Sequence, residues 1–215
     1  MRLVVARHGA TQHNLDARFT GQFDAPLSTL GELQADVLAQ RLASQRFDAI
    51  ISSDLRRARD TAERIASGAG LPVTLDPALR EISIGEWEGR SVSDVRREHG
   101  ELLDRIETDP LGETAYPQGE SWAQFSARVV GALMRWRARY PSGTLLWVAH
   151  GGVISALFLN ALGLSMERRR QIARGNTCLF EFDYRPTHVV LVRANDTCHL
   201  DSLMTDGEGE QSQAL

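Results

Sequence analysis

Residues 1–14, MRLVVARHGATQHN, change abruptly from apolar to polar. Residues 3–6 form a short apolar run that is typical of a buried strand. Arg7, His8 and Gly9 follow this run directly. Two interpretations are open at this point. Either the strand simply reaches solvent, or His8 belongs to a catalytic site. The rest of the sequence decides between them.

The composition narrows the classes of protein to consider. A chain of 215 residues with 42% hydrophobic and 24% charged residues is typical of one globular domain. A net charge of −4 argues against a nucleic-acid partner. No apolar run is long enough to span a membrane or to act as a signal peptide. We therefore expect a cytoplasmic protein with neither a membrane nor a nucleic-acid partner.

All 24 basic residues are arginines, and lysine is absent. This excludes a Walker P-loop, which needs a lysine on the nucleotide phosphates, and a Schiff-base enzyme, which needs a lysine amine. Cys178 and Cys198 fit neither a disulfide framework nor a zinc motif. We expect both to be reduced thiols.

The order of apolar patterns predicts an α/β fold with a largely parallel sheet, because strand-like runs alternate with helical ones. Candidate strands are residues 3–6, 47–53, 71–76, 143–150, 176–184 and 187–195. In the helix after Ser28-Thr29, five apolar residues are predicted to face the core: Leu30, Leu33, Val37, Leu38 and Leu42. We expect a single domain over residues 1–200 with an insertion at about 85–120. Residues 201–215 are expected to form a mobile acidic tail.

Polar residues collect where three of these strands end. The first strand ends in Arg7-His8-Gly9, and the fourth ends in His150-Gly151-Gly152. The second ends in Ser52-Ser53-Asp54, and Ser53 and Asp54 are predicted to cap a helix that carries Arg56, Arg57 and Arg59. Because the carboxyl ends of parallel strands meet at one edge, two histidines and several arginines should lie together.

Such a cluster is suited to a phosphate group rather than to a metal ion. Arginine repels cations, whereas its planar fork binds phosphate oxygens. The helices predicted after Gly9 and after His150 could add free N–H groups. We expect Gly151 to bind substrate in this way, and Gly9 to leave room for the phosphate beside the backbone. No metal and no organic cofactor are predicted.

Two histidines beside a phosphate also allow catalysis. A neutral His8 imidazole can attack phosphorus, while Arg7, Arg57 and, if it is protonated, His150 would neutralise charge on the phosphoryl oxygens. The leaving alkoxide needs a proton from a carboxylic acid. Among the glutamates of LREISIGEWEG, residues 79–89, Glu81 is nearest to the end of the third strand. We expect Glu81 to be this acid, and Glu86 and Glu88 to be solvated.

Six stretches in this order resemble the histidine phosphatase superfamily, in its phosphoglycerate-mutase-like branch. They are RHGATQHN (7–14), RFTGQFDAPLSTLGELQA (18–35), SSDLRRARDTA (52–62), LREISIGEWEG (79–89), PQGES (117–121) and VAHGG (148–152). RHG alone would be a weak signal, whereas the ordered set is highly specific. The resemblance implies a phosphatase enzyme with a three-layer α/β/α fold around a mixed, mostly parallel sheet.

The resemblance also implies roles for individual residues. His8 would become phosphohistidine, and Arg7, Arg57 and His150 would hold the phosphoryl oxygens. Glu81 would protonate the leaving group and then activate water. A final set matches positions that contact substrate or phosphate in the family: Asn14, Thr20 and Gly21. Arg56 would be a solvent or rim residue.

Phosphatase and mutase activity both occur on this fold. Glycolytic mutases of the family carry a Tyr-Gly pair and a longer insertion with lysines after the acidic glutamate. Here Ser83 and Ile84 replace the polar pair, and lysine is absent. These departures favour hydrolysis of a small phosphorylated metabolite, such as a sugar phosphate or phosphoglycerate derivative. A cofactor-dependent phosphoglycerate mutase is the alternative, and a non-catalytic phospho-ligand binding module is disfavoured. The late strands could supply the edge of a homodimer, and an edge capped by the tail or by a helix is an equal alternative.

Overall fold

The computed structural model describes residues 1–204 of the chain. The tail expected over 201–215 lies outside the described residues except for its first four. These four, Asp201–Met204, form a short helix. Among residues 1–204, no helix combines the length and the apolar character that crossing a bilayer requires.

Six strands form a single sheet. They are β1 (Arg2–Arg7), β2 (Ala49–Ser52), β3 (Val73–Leu75), β4 (Thr144–Ala149), β5 (Leu179–Tyr184) and β6 (Val189–Asp196). Within residues 1–204, seven α-helices accompany them: α1 (Gln12–Leu15), α2 (Thr29–Leu42), α3 (Arg56–Ala69), α4 (Val92–Thr108), α5 (Trp122–Arg139), α6 (Gly151–Leu162) and α7 (Asp201–Met204). Short 3₁₀ segments lie at Pro77–Leu79, Gly85–Trp87, Met166–Gln171 and Cys198–Leu200.

The strand order in the sheet is β3-β2-β4-β1-β5-β6. Strands β1 to β4 run parallel, whereas β5 and β6 pair antiparallel at one side. The expected α/β fold with a mixed, mostly parallel sheet is therefore confirmed. The topology puts the carboxyl ends of β1, β2 and β4 side by side, because these three strands are neighbours.

Both faces of β1 are buried, which explains its continuous apolar sequence. Val4 packs with α2 and α3 in one hydrophobic cluster, which includes Leu38 and Ile65. Val5 points to the other face and joins a larger cluster with residues of α5 and α6, including Phe125. The sheet therefore lies between two helical layers.

The buried face of α2 differs from the predicted one. Leu38 and Leu42 are buried as expected, but Leu30 and Leu33 are 41% and 50% exposed. The reason is the close approach of the Gly31 backbone to the loop after β1. A Cβ on Gly31 would stand 1.9 Å from the Ala10 carbonyl oxygen. Packing at Gly31 sets the rotation of α2 about its axis. The apolar periodicity of the α2 sequence does not reveal this contact.

The irregular segment after β3 packs against the larger cluster. It contains α4, which is kinked where His99 has a φ of −133°. Leu103 and Ile106 are buried in the cluster together with Trp87. Arg169, from the 3₁₀ segment after α6, donates a hydrogen bond to the Ile106 carbonyl and so ties α4 to the main body.

Candidate active site

The carboxyl edge of the sheet brings the two predicted histidines together. His8 follows β1 and His150 follows β4, and both are buried. Their ring centroids are 5.1 Å apart, at an interplanar angle of 59°. The fully buried Arg57, in the first turn of α3, reaches the same place.

The hydrogen bonds of His8 define which ring nitrogen carries the proton. Arg57 Nε donates to His8 Nε2 over 3.2 Å, and arginine has no acceptor. Nε2 therefore holds the lone pair, and Nδ1 donates to the Gly9 carbonyl at 2.7 Å. Burial, together with the charges of Arg57 and Arg7, lowers the pKa of His8 well below its usual value. His8 is thus a neutral imidazole whose Nε2 lone pair points at Arg57.

Two backbone carbonyls hold Arg57 in place. Its Nη1 and Nη2 donate to the carbonyls of Phe23 and Gly21, each over 2.8 Å. Burial lowers the pKa of Arg57 to about 10, so it keeps its charge at neutral pH. Gly21 has a φ of +52°, and a Cβ there would stand 2.6 Å from Glu88 Oε1. Both features favour a glycine at the position whose carbonyl accepts from Arg57.

His150 and Arg7 direct polar atoms into the site. His150 Nε2 lies 2.8 Å from Ser53 Oγ, and burial lowers the pKa of the imidazole well below its usual value. His150 Nδ1 and Arg7 Nε are both buried, and neither has a hydrogen-bond partner within the described residues. The oxygens of a bound anion could accept hydrogen bonds from both nitrogens.

Ser53 therefore serves His150 rather than the helix that follows. We predicted that Ser53 and Asp54 cap this helix, but the N-cap of α3 is Leu55, without a side-chain hydrogen bond. Ser53 Oγ accepts from the Leu55 amide and contacts His150. Asp54 pairs with Arg80. The sequence shows which residues stand near a helix start, but not that one of them faces a histidine from β4.

Glu81 is held at the first turn of α6. Its Oε2 accepts from the Gly152 amide at 3.0 Å, and its Oε1 accepts from the Ile82 amide at 2.9 Å. Glu86 is exposed as predicted. Glu88 is half-buried instead of solvated, because its carboxylate accepts from the Gln22 amide at 2.9 Å.

Sequence reasoning missed the pair that anchors the Glu81 segment. Arg128 of α5 donates to the Glu81 carbonyl at 3.3 Å and to the carbonyl of Arg80 at 3.0 Å. Its partner Glu120 accepts from Arg128 and from the Ser83 amide, each within 2.8 Å. The only available signal is Arg128 itself, a charged residue within a largely apolar helix, which is too common a feature to identify its role.

The loop after β1 corrects two expectations. The N–H groups of Gly9 and Ala10 are occupied by Thr61 Oγ1 and Gln34 Oε1, so they are not free for an anion. A Cβ on Gly9 would stand 2.2 Å from the Gly31 carbonyl oxygen. The missing side chain of Gly9 thus allows α2 to approach, rather than making room for a phosphate.

The remaining predicted residues lie around this centre. Asn14 forms a capping box with Thr11, and its Oδ1 is 3.4 Å from Asn176 Nδ2. Thr20 is half-buried and 3.5 Å from the Arg18 carbonyl. Gly151 begins α6. Asn176, which the sequence did not single out, donates to the His8 carbonyl at 3.1 Å.

Residues 1–204 contain no group of three or more His, Cys, Asp or Glu residues placed to hold a metal ion. The charges of Arg7 and Arg57 act on both His8 and His150.

Comparisons with known proteins cover nearly the whole chain. A family model described as histidine phosphatase superfamily (branch 1) matches residues 3–197. The probable phosphoglycerate mutase GpmB of Cronobacter sakazakii is 36% identical over 212 residues, which are 96% of this chain and 98% of that protein.

Two solved structures of phosphatases are similar in fold. Mycobacterial glucosyl-3-phosphoglycerate phosphatase, complexed with VO3, is 31% identical with a TM-score of 0.84 and covers 91% of this chain and 99% of its own. Phosphoserine phosphatase from Entamoeba histolytica, in complex with 3-phosphoglyceric acid, is 30% identical with a TM-score of 0.84. The match covers 93% of this chain and 98% of that one.

Proposed function

Because the chain belongs to the histidine phosphatase superfamily, branch 1, we propose that it hydrolyses small phosphomonoesters through a phosphohistidine on His8. The family resemblance and the phosphatase class expected from the sequence are confirmed by these comparisons. One observation carries the proposal further. The Nε2 lone pair of a neutral His8 lies beside Arg57, with two buried polar atoms, on Arg7 and His150, that lack a partner in the described residues.

A phosphoryl group placed at His8 Nε2 satisfies these atoms. Arg57 Nε would turn from Nε2 to a phosphoryl oxygen, and Arg7 Nε would donate to another. Ser53 Oγ can donate to His150 Nε2, which leaves Nδ1–H of His150 as a third donor. Donors fixed in advance around the equatorial oxygens are the main requirement for phosphoryl transfer.

In the first step His8 Nε2 attacks phosphorus and the bond from phosphorus to the ester oxygen breaks. The leaving alkoxide takes a proton from Glu81. The new phosphohistidine keeps the proton on Nδ1, where the Gly9 carbonyl stabilises the positive charge of the ring. The neutral state of His8 matters here, since a protonated imidazole has no lone pair for the attack.

In the second step the Glu81 carboxylate takes a proton from water. The water oxygen attacks phosphorus, and the bond from phosphorus to His8 Nε2 breaks. The products are inorganic phosphate and the alcohol, and Glu81 and His8 return to their starting states. The amides of Gly152 and Ile82 keep the carboxylate of Glu81 in one orientation for both proton transfers.

A phosphoglycerate mutase is the second candidate, because a curated relative at 36% identity carries that name. In a mutase, phosphohistidine passes its phosphoryl group back to a phosphoglycerate instead of to water. The two activities share the first step and differ only in the acceptor. A cytoplasmic enzyme that acts on a small phosphorylated metabolite, with no metal or organic cofactor, remains our proposal for the chain.

The test measures phosphate release from p-nitrophenyl phosphate and from an alkyl phosphate, together with interconversion of 3- and 2-phosphoglycerate. His8→Asn should abolish release, and denaturation of the wild type during turnover should trap an acid-labile phosphate on His8. Glu81→Gln should slow the alkyl ester about 10²–10⁴-fold and the nitrophenyl ester much less, because only the alkoxide needs a proton.

His13→Asn serves as the control, since His13 is partly exposed, stacks on Phe23 and makes no side-chain hydrogen bond to His8 or Arg57 within the described residues. It should retain wild-type rates. Unchanged release by His8→Asn would disprove the nucleophile. Interconversion faster than release would identify a mutase, and tight binding of phosphate without release from any ester would identify a binding module.

A further inference from the structure

Arg174 places a third guanidinium group beside the candidate active site. It lies in the loop between α6 and β5, and its Nη1 donates to Ser155 Oγ and, over 2.9 Å, to the Arg169 carbonyl. Arg7 in turn donates to the Arg174 carbonyl. The Nε and Nη2 groups of Arg174 make no hydrogen bond within the described residues.

The two arginines converge on the start of α6. Arg7 Nε and Arg174 Nε each lie 3.7 Å from the point where a Cβ on Gly151 would stand. Apart from the adjacent residues and the backbone of α6, these are the nearest heavy atoms to that point. An oxygen atom beside Gly151 would therefore be within reach of both guanidinium groups.

When the reaction begins, the positive charges of the arginines around the candidate active site outnumber the negative charges of a bound phosphate dianion. Arg7, Arg57 and Arg174 together carry three positive charges, and both histidines are neutral because burial lowers their pKa values. Glu81 is among the groups that act on Arg174, and the proposed first step uses its carboxylic acid as the proton donor. A phosphate dianion then neutralises two of the three charges, so that one positive charge is left.

We propose that Arg174 binds a carboxylate of the substrate, next to the phosphate, and so selects phosphorylated hydroxy acids. The inference rests on the proposed function, because it takes the phosphate to occupy Arg7, Arg57 and His8. A carboxylate suits the site better than a second phosphate would. It carries a single charge, and its planar pair of oxygens matches the free Nε and Nη2 of one guanidinium.

The test compares ester pairs that differ only in a carboxylate. One pair is 3-phosphoglycerate and glycerol 3-phosphate, and a shorter pair is 2-phosphoglycolate and 2-hydroxyethyl phosphate. The measured quantity is the ratio of kcat/KM between the two members, so that a general loss of activity cancels. The wild type should favour the carboxylate about 10- to 100-fold in at least one pair, as expected for a charge-assisted hydrogen-bonded contact.

Arg174→Gln should bring this ratio to about one, and Arg174→Lys should restore part of it, since a lysine keeps the charge but not the fork. The matched control is Arg168→Gln. It removes the same charge from an exposed position six residues earlier in the chain, where the side chain pairs with Glu167. Its ratio should equal that of the wild type.

Three results would overturn the proposal. They are a wild-type ratio near one in both pairs, a ratio that Arg174→Gln leaves intact, and an equal loss on both members, which would make Arg174 a phosphate contact. If the protein releases phosphate from no ester, the proposed function fails. The ratio of Kd values for the same pairs, measured by calorimetry, then decides the role of Arg174 by the same three criteria.

Discussion

At the scale of single residues, the site depends on glycines that let other groups approach. Gly9 and Gly31 bring the loop after β1 against α2, and Gly152 does the same for Glu81. A Cβ on Gly152 would stand 2.1 Å from Glu81 Oε1 and 3.1 Å from the Phe125 ring. The position of the carboxylate is therefore set by the absence of a side chain as much as by its hydrogen bonds.

Gly152→Ala should consequently impair proton transfer. The added methyl group displaces Glu81, and we expect kcat/KM for an alkyl phosphate to fall about 10- to 100-fold, with a smaller change for p-nitrophenyl phosphate. Gly68→Ala is the control, because this exposed glycine of α3 has no heavy atom within 4 Å of its Cβ position. Equal losses of the Gly152 variant on both esters would contradict the assignment.

At the scale of elements, α5 determines where the Glu81 segment lies. Arg128 binds the carbonyls of Ala78, Arg80 and Glu81, and it pairs with Glu120, which holds Ser83. These contacts reach the backbone on both sides of Glu81. The segment has no strand or helix of its own at this point, so side chains of another element substitute for a regular hydrogen-bond ladder.

Arg128→Met should therefore loosen this segment. Methionine keeps much of the apolar stem but leaves three carbonyls and Glu120 without their donor, so the free energy of unfolding should fall by about 1–3 kcal/mol in urea titrations. The alkyl ester should lose more activity than the nitrophenyl ester. The control is Arg135→Met, which removes an exposed ion pair from the same helix. It should change neither the free energy of unfolding nor the activity on the alkyl ester by much. Full stability in the Arg128 variant would refute the anchoring role.

At the scale of the whole molecule, the buried histidines link folding to pH. The pKa values of His8 and His150 lie below their usual value in the folded chain, chiefly because of burial. Between the folded and unfolded pKa values, the unfolded chain binds more protons. Stability is therefore complete above about pH 6.5 and falls as the pH decreases below it.

Urea unfolding between about pH 7.5 and about pH 5.5 should show this loss, with at most about 1.4 kcal/mol per pH unit for each histidine. His8→Asn combined with His150→Asn should have a clearly shallower slope. His13 and His199, whose pKa values are also lowered, account for a remaining part. An identical slope in the double variant would show that these two histidines do not set the pH dependence.

Local patterns were sufficient for the fold and for much of the candidate site. The apolar runs predicted the strands, and the three strand ends predicted that His8, Arg57 and His150 meet. Such predictions succeed because strand and helix periodicities, caps and the geometry of parallel sheets are properties of short segments. The exposed Leu30 and Leu33 show the limit, since a contact between Gly31 and Ala10 overrides the periodicity of α2.

The sequence by itself therefore determined the fold class and the edge of the sheet at which His8, Arg57 and His150 meet. Only the tertiary structure decided that Ser53 faces His150, that Arg128 anchors the Glu81 segment and that Arg174 stands beside Arg7. These contacts join residues far apart in the chain, through side-chain directions and close backbone approaches. No local pattern encodes them, because they exist only once the layers have packed.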